Sequence, residues 1–475
     1  MWQTAISARR EPAKAVVDGA HTWSYAELAQ RVAAHRSGLE RDGVRPGQTV
    51  ALLADKSAHS VAATLALAEI GATVFLAPRG LGPELLADLL SRSGADYAVQ
   101  ARTSDPDVLS AVPVGRSQRA ADCRAALLLS TSGSTGVPKL VPLLSSAVER
   151  FAAWAAEAFG IGPGVRVLSY APLNFDLSLL DVWATLMYGG TTVLVPPQDA
   201  ARAERVAGIL VARRPEIVQA VPLLLRLLAA HDVPPQPQVR HLVLTGEAFP
   251  VEHWPWLRRT FPSADVWNLY GCTETNDSFR HRVTQADIDA RRVPIGRPLP
   301  GVVARIDGGG AEGELLVSTP FQTPGYLHQL PDDNPPFFRL PDSDRVFYRT
   351  GDIVHRTDDG AYHLVDRISR IVKVNGVRTS LAEVESVLAD HPDVAEAVVF
   401  AVPDSVAGTV LHAAVLPRDQ RRPDTLALRG HCRRRLAASA VPSRYHVLPH
   451  DLPRTPTGKP DRVRIQALLT EGAVL

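Results

Sequence analysis

Lysine is scarce in this 475-residue chain: Lys14, Lys56, Lys139, Lys373 and Lys459 are its five lysines, and the other 46 of its 51 basic residues are arginine. An ammonium on a flexible stem does what a planar guanidinium cannot, notably as a point charge that moves into and out of a site. Lys14 and Lys56 read as chance survivals. Lys139, Lys373 and Lys459 stand in the most unusual local sequences of the chain.

Lys139 closes the run Thr131, Ser132, Gly133, Ser134, Thr135, Gly136, Val137, Pro138. Glycines let backbone N–H groups approach an anion, the hydroxyls add donors, and the lysine adds a charge, a set suited to a polyphosphate. The spacing is not that of a Walker A loop, which sets a P-loop NTPase aside. Composition alone also fits a solvated Ser/Gly-rich loop. In NLYGCTETND (Asn268 to Asp277), Glu274 could hold a divalent cation, Thr273 a phosphate oxygen, and Tyr270 a base. YRTGD (Tyr348 to Asp352) reads as a carboxylate after a tight glycine turn, able to accept from two sugar hydroxyls. PRTPTGKPDR (Pro453 to Arg462) puts Lys459 on a Pro/Gly loop, as a residue that must move would be.

The elements that position these residues alternate between helix and strand. Helices are predicted over 25–39, 57–70, 179–188 and 203–213. Strands are predicted over 49–53, 73–76, 125–129, 165–170, 192–195, 217–220 and 242–244, with a second apolar run over 140–143, a pattern of partly parallel α/β sheet. Ser146 and Glu149 predict a capping box for a helix that Gly160 closes. From about Pro300 the chain is β-rich, with strands over 313–318 and 361–366. From about Arg370 a smaller α+β unit follows: strands over 371–374, 395–402 and 410–416, and helices over 381–391 and 429–438. The expected fold is α/β, a large N-terminal core of α/β sheet layers with a β-rich subdomain, plus a small α+β C-terminal lid domain. The boundary is placed between 1–368 and 369–475.

STSGSTGVPK, YGCTE, YRTGD and PTGK, in that order, resemble the adenylate-forming (ANL) superfamily, which includes nonribosomal peptide synthetase adenylation domains, acyl- and aryl-CoA ligases and luciferases. TWSYAEL (Thr22 to Leu28) and the stretch from Val365 to Ser386 match as well, so the resemblance spans nearly the whole chain. It implies attack of a carboxylate on the α-phosphorus of ATP, then transfer of the acyl group to a thiol. By the same resemblance Thr131 to Gly136 and Lys139 hold the β- and γ-phosphates. Thr273 contacts the α-phosphate, and Glu274 holds Mg²⁺. Asn268, Tyr270, Gly271, Gly246, Glu247 and Ala248 surround the adenine, and Asp352, assisted by Arg367, binds the ribose. Lys459 bridges carboxylate and phosphate. Rotation about a hinge at Ser369 would replace it by the face of Lys373 and Gly376. The pattern departs from the family at Ser369, at Cys272 after YG, and within 313–327.

NFDLSLLD (Asn174 to Asp181) gives the substrate class. In amino-acid-activating members an Asp at the position of Asp176 binds the substrate's amino group, and a half-buried carboxylate needs such a cation. A helix-capping role beside Ser178 is the alternative. The resemblance lines the pocket with Leu177, Leu180, Ala220, Val243, Thr245, Leu269, Asp277 and Ser278. Asp277 and Ser278 suit a side chain bearing hydroxyl or amine, and the apolar remainder suits a compact ring such as proline.

Composition bounds the rest. Charged residues are 21%, apolar residues 45%, and the net charge is +1. That excludes the basic field of a nucleic-acid binder. Cys123, Cys272 and Cys432 are far apart with no CxxC, so neither a disulfide framework nor a zinc site is expected. No secretory leader or membrane span is visible, and a cytoplasmic protein is expected. The chain ends soon after Lys459, as in a free-standing enzyme. The expected function is activation of a small amino acid and loading of a separate carrier protein through its phosphopantetheine arm. The alternatives are an acyl- or aryl-CoA ligase of the same fold and a non-catalytic nucleotide-binding module.

Overall fold

The structure is a computed structural model describing residues 2–470, apart from 20, 54, 78–82, 103–104, 115–124, 132–137, 328–334, 375–376, 405–407, 419–422, 437–439, 449–450 and 456–458. It divides into two compact units. The first comprises 1–311, 316–350 and 356–363, and the second 312–315, 351–355 and 364–475.

Two sheets build most of the first unit. The nine-stranded sheet runs Arg297–Pro298, Asn276–Arg282, Asp265–Cys272, His241–Leu244, Ile217–Ala220, Arg166–Ser169, Thr191–Leu194, Lys14–Asp18, His21–Ser24. The pairs from Lys14–Asp18 to Asp265–Cys272 are parallel, and the outer pairs antiparallel. The six-stranded sheet has at its centre Thr49–Leu52 and Thr73–Leu76, each a threonine followed by three buried apolar residues, as parallel strands covered on both faces require. Helix Ala58–Ile70 is buried nearly all round and ends at Gly71, left-handed at φ 87.

TWSYAEL is a helix start. Ser24 and Glu27 form a capping box, and the buried Tyr25 hydroxyl donates to the carbonyls of Leu186 and Gly190. The box predicted at Ser146 and Glu149 does not form: the helix begins at Ser145 after Leu144, with no side-chain cap, though Gly160 closes it as expected. The continuous helix predicted over 179–188 is a π-helical turn, Leu179–Ala184, followed by Thr185–Met187. The YRTGD motif is not a turn but lies inside the long strand Val346–Arg356, where Gly351 alone takes a positive φ, 71.

In the second unit, Val394–Asp404 and Gly408–Pro417 pair antiparallel and Arg444–Val447 adds in parallel. Helices Leu381–Ala389 and Thr425–Arg433 pack over a core of Val384, Leu388, Val399, Leu411, Val415 and Leu428. The second helix starts four residues before its predicted position, at the Asp424 cap. Ile371–Val374 and Val377–Ser380 form a hairpin.

Candidate active site

The parallel strands of the large sheet deliver side chains to one apolar face. Residues paired in register share a face, and alternate residues take opposite faces. Val243 pairs with Gln219 on one side and with Trp267 on the other. Ile217, Val243, Leu269, Leu179 and Leu180 pack in one core, whereas Val218, Ala220, Leu242 and Leu244 belong to another. Ala220 therefore points away from the other proposed pocket residues, and the neighbouring Gln219 takes the pocket face. The strand alternation, read against Val243, was the signal that could have found it.

Gln219 is fully buried, and neither its amide nitrogen nor its amide oxygen has a hydrogen-bond partner among the described residues. Thr245, just beyond the strand His241–Leu244, donates its hydroxyl to Asp277 Oδ1 at 3.1 Å. Asp277 follows a tight reversal. Its backbone pairs with Gly271, where a Cβ would meet Asn276 O at 2.2 Å, and Asn276 is left-handed at φ 58. Only glycine fits at 271. Asp277 is buried, and burial first, then the charge of Asp176, pushes its carboxyl up to about 7. Among the described residues no basic side chain pairs with it. Ser278, also buried, donates to Asn276 O at 3.0 Å.

Asp176 is half-buried on a run of turns between the strand Arg166–Ser169 and the π-turn. The π-turn has Ser178 at its N-cap, and the Ser178 side chain makes no cap bond. What fixes this run is Lys56. Its fully buried ammonium donates to the carbonyls of Ser169 (2.8 Å), Tyr170 (2.9 Å) and Ala171 (2.8 Å). The same charge attracts Asp181, a fully buried carboxylate five residues beyond Asp176 that the neighbouring Ser169 hydroxyl also favours in its charged form. Burial lowers the Lys56 pKa and raises that of Asp181, and their mutual attraction opposes both shifts. Lys56 is thus no chance survival: three carbonyls match three ammonium protons, a geometry a guanidinium would not reproduce.

The turn that places Asp277 also places Glu274. Tyr326 donates its hydroxyl to Glu274 Oε1 at 2.6 Å, and Thr323 N–H donates to the Glu274 carbonyl at 2.9 Å. Lys139 Nζ sits 4.6 Å from the Tyr326 ring centroid. Burial and the Glu274 carboxylate push the Tyr326 phenol well above its ordinary range, so it remains a donor. Magnesium commonly binds through one or two carboxylates plus substrate phosphates, and a single oriented carboxylate beside a lysine fits that use. Thr273 is half-buried in the same turn. Thr131 and Lys139 pair directly across an antiparallel hairpin. The proposed Ser132, Gly133, Ser134, Thr135 and Gly136 lie outside the described residues.

Of the other proposed nucleotide residues, buried Asn268 donates its amide to Pro294 O at 2.7 Å. Tyr270 packs edge-on to Phe279. Gly246 is left-handed at φ 90, Glu247 accepts from Arg226 at 3.1 Å, and Ala248 is exposed.

Within the second unit, Arg367 Nε lies 3.1 Å from Asp352 Oδ1, and Gly351 N–H donates to Glu314. Exposed Lys459 sits in a loop closed by Thr455 N–H, which donates to the Lys459 carbonyl at 2.8 Å. Arg370, beside Ser369, pairs with Glu385, which also accepts from Arg462 at 2.6 Å. Lys373 pairs with Arg378 in the hairpin; the Lys373 and Ser369 side chains lie outside the described ones, as does Gly376. Among the described residues no cluster of three or more His, Cys, Asp or Glu could hold a metal by itself, and no helix is long and apolar enough to cross a membrane.

Comparison with known proteins adds family relationships. Residues 4–125 and 115–327 match the model of the AMP-binding enzyme family, and residues 383–459 that of the AMP-binding enzyme C-terminal domain. The chain is 33% identical over 492 residues to the phosphinothricin tripeptide synthetase PhsC of Streptomyces viridochromogenes, covering 96% of this chain and 44% of that protein. It is 31% identical to an L-proline--[L-prolyl-carrier protein] ligase of Streptomyces coelicolor, covering 94% of this chain and 92% of the relative. The chain thus spans less than half of the first relative's length and most of the second's. Among solved structures, the amide bond synthetase McbA of Marinactinospora thermotolerans matches with a TM-score of 0.79 and 26% identity, covering 98% and 99% of the two chains. An o-succinylbenzoate CoA synthetase of Bacillus subtilis has the same fold, with a TM-score of 0.83 at 24% identity, covering 98% and 97% of the two chains.

Proposed function

Since the chain belongs to the AMP-binding enzyme family of ligases, we propose that it activates a small amino acid with ATP and loads it onto a separate carrier protein. In the first step a carboxylate oxygen of the amino acid attacks the α-phosphorus. The bond to the bridging oxygen breaks, and pyrophosphate leaves with the electron pair. The loop from Thr131 to Lys139 holds the outer phosphates, and Thr273 donates to the α-phosphate. Asp352, oriented by Arg367, accepts from the ribose hydroxyls. Lys459 places its ammonium between the two reacting anions, which electrostatic catalysis requires. Glu274 would hold Mg²⁺, which offsets phosphate charge when bound. In the second step the phosphopantetheine thiol, as thiolate, attacks the acyl carbon and AMP departs. The segment 369–475 would turn about Ser369 to exchange Lys459 for the Lys373 face.

The observation that carries the amino-acid reading is Asp176, a half-buried carboxylate beside the buried Asp277, on a run that Lys56 pins. An acyl substrate offers this carboxylate no cation. The test is pyrophosphate exchange with each amino acid set against its deamino carboxylic acid. Exchange dependent on the amino group is expected; equal exchange with both would favour an acyl- or aryl-CoA ligase.

A further inference from the structure

The pocket face holds more polar capacity than an α-amino group can use. Asp176 is one carboxylate. Asp277 is a second, buried, with a hydroxyl donor on one oxygen and no basic side chain paired with it among the described residues. Gln219 adds a buried amide whose donor and acceptor are both unpartnered among the described residues. Buried polar groups without partners are rare in folded proteins, and at a functional site they mark where a ligand's groups go. Around them Leu180, Val243 and Leu269 are apolar and buried, so the polar demand is local.

From this juxtaposition we infer that the amino acid carries a second primary amine on a short side chain: a diamino acid held by two carboxylates, its α-ammonium on Asp176 and its side-chain ammonium on Asp277, with the Gln219 amide oxygen accepting from the latter. The inference rests on the amino-acid reading of this pocket. Physically, the charge of Asp176 opposes ionisation of the buried Asp277, and a ligand bringing two ammonium groups relieves that repulsion. A neutral ring such as proline would satisfy Asp176 alone. It would leave Asp277 and Gln219 covered and unpaired, the arrangement that polar sites reject most strongly. Without ligand, Asp277 can instead keep a proton, and Asp176 is the charged group that faces it. A short diamine then displaces that proton on binding.

The experiment is pyrophosphate exchange with the full chain across matched series. 2,3-Diaminopropionate and 2,4-diaminobutyrate are set against serine, homoserine, 2-aminobutyrate, norvaline and proline, with deamino acids as a further arm. Each diamino acid is expected to exceed its neutral counterparts by at least about tenfold in kcat/KM. Asp277→Asn should bring that ratio close to one, and Gln219→Leu should lower it in the same direction. The wild-type series is decisive even where a variant fails to fold. Proline or a neutral isostere used as well as the diamines would overturn the inference and leave amino-acid activation standing. Exchange with deamino acids alone, or with no member of any series, would overturn both.

Discussion

Two carboxylates five residues apart on one short run, Asp181 and Asp176, face opposite charges. Lys56 and Asp181 are both fully buried and attract each other, while the ammonium gives its three protons to backbone carbonyls. Asp176 and Asp277 set carboxylate against carboxylate, with one oxygen bonded to Thr245. The first pair carries its own counter-charge and serves as a fixture. In the second, Asp277 has no basic side chain paired with it among the described residues. A buried carboxylate that faces a buried ammonium is a fixture of the fold, whereas the buried carboxylate of Asp277 is the one suited to meet a ligand's cation.

The sharpest way to break the comparison is to open the closed pair. Lys56→Met removes the counter-charge of Asp181 and the donors of three carbonyls, and breaking a buried pair in this way costs about 3–5 kcal/mol. Denaturant unfolding should show that loss. The double variant Lys56→Met with Asp181→Leu should recover part of it, because no lone charge remains. A single variant as stable as the parent would mean that the pair is not a fixture.

Next in size is the open pair's effect on catalysis. Asp176→Ala should lower kcat/KM for the amino acid by roughly a hundredfold or more, about 3 kcal/mol, since the α-ammonium would be bound unpaired. ATP binding should be unaffected. Steady-state exchange kinetics check this, and a loss confined to the ATP dependence would contradict it.

The two pairs also differ in how far they could be seen in the sequence. The motifs carrying Glu274, Thr273 and Lys139 were legible because glycine, hydroxyl and charge stand together in a few residues. The parallel strands were legible as short apolar runs, with Ile217–Ala220 and Thr73–Leu76 at their predicted bounds. Lys56 was not legible, because its partners come from residues 113 to 115 positions away. That Gln219, and not Ala220, shares the face of Val243 was not legible, because a four-residue buried strand lacks the polar alternation that shows which face is which. The Gly351 turn failed for a related reason: one left-handed glycine bends a strand as readily as it ends one.

The third prediction uses pH to tell the pairs apart. Asp277 moves from an ordinary 3.8 up to about 7 on folding, so the folded chain binds a proton that the unfolded chain has lost between those values. Stability must therefore fall as pH rises from about 4 to about 7, by at most about 4 kcal/mol from this group. Asp277→Asn removes that slope but buries an amide of its own, costing about 1–3 kcal/mol. The expected net is a variant about 2 kcal/mol more stable than the parent at pH 8 and equal or less stable at pH 4. Melting curves at the two values suffice. A parent whose stability rises monotonically from pH 4 to 8 relative to Asp277→Asn would place the charge outside the buried pocket.

The smallest change tests the hydrogen bond that ties the open pair to the sheet. Thr245→Val keeps the shape of the side chain and removes the hydroxyl that donates to Asp277 Oδ1. That donor favours the ionised form, so its loss should raise the Asp277 titration further. Stability at pH 8, where the carboxylate is charged, should drop by about 1 kcal/mol, with little change at pH 4. The midpoint of the stability slope, measured against Asp277→Asn as the reference lacking the carboxyl, should move to higher pH. In the Asp277→Asn background the same Thr245→Val change should leave no pH dependence to move, which separates an effect on the carboxyl from a simple packing effect. An unmoved midpoint in the single variant would mean that Thr245 is a spectator and that burial and Asp176 alone set the charge of Asp277.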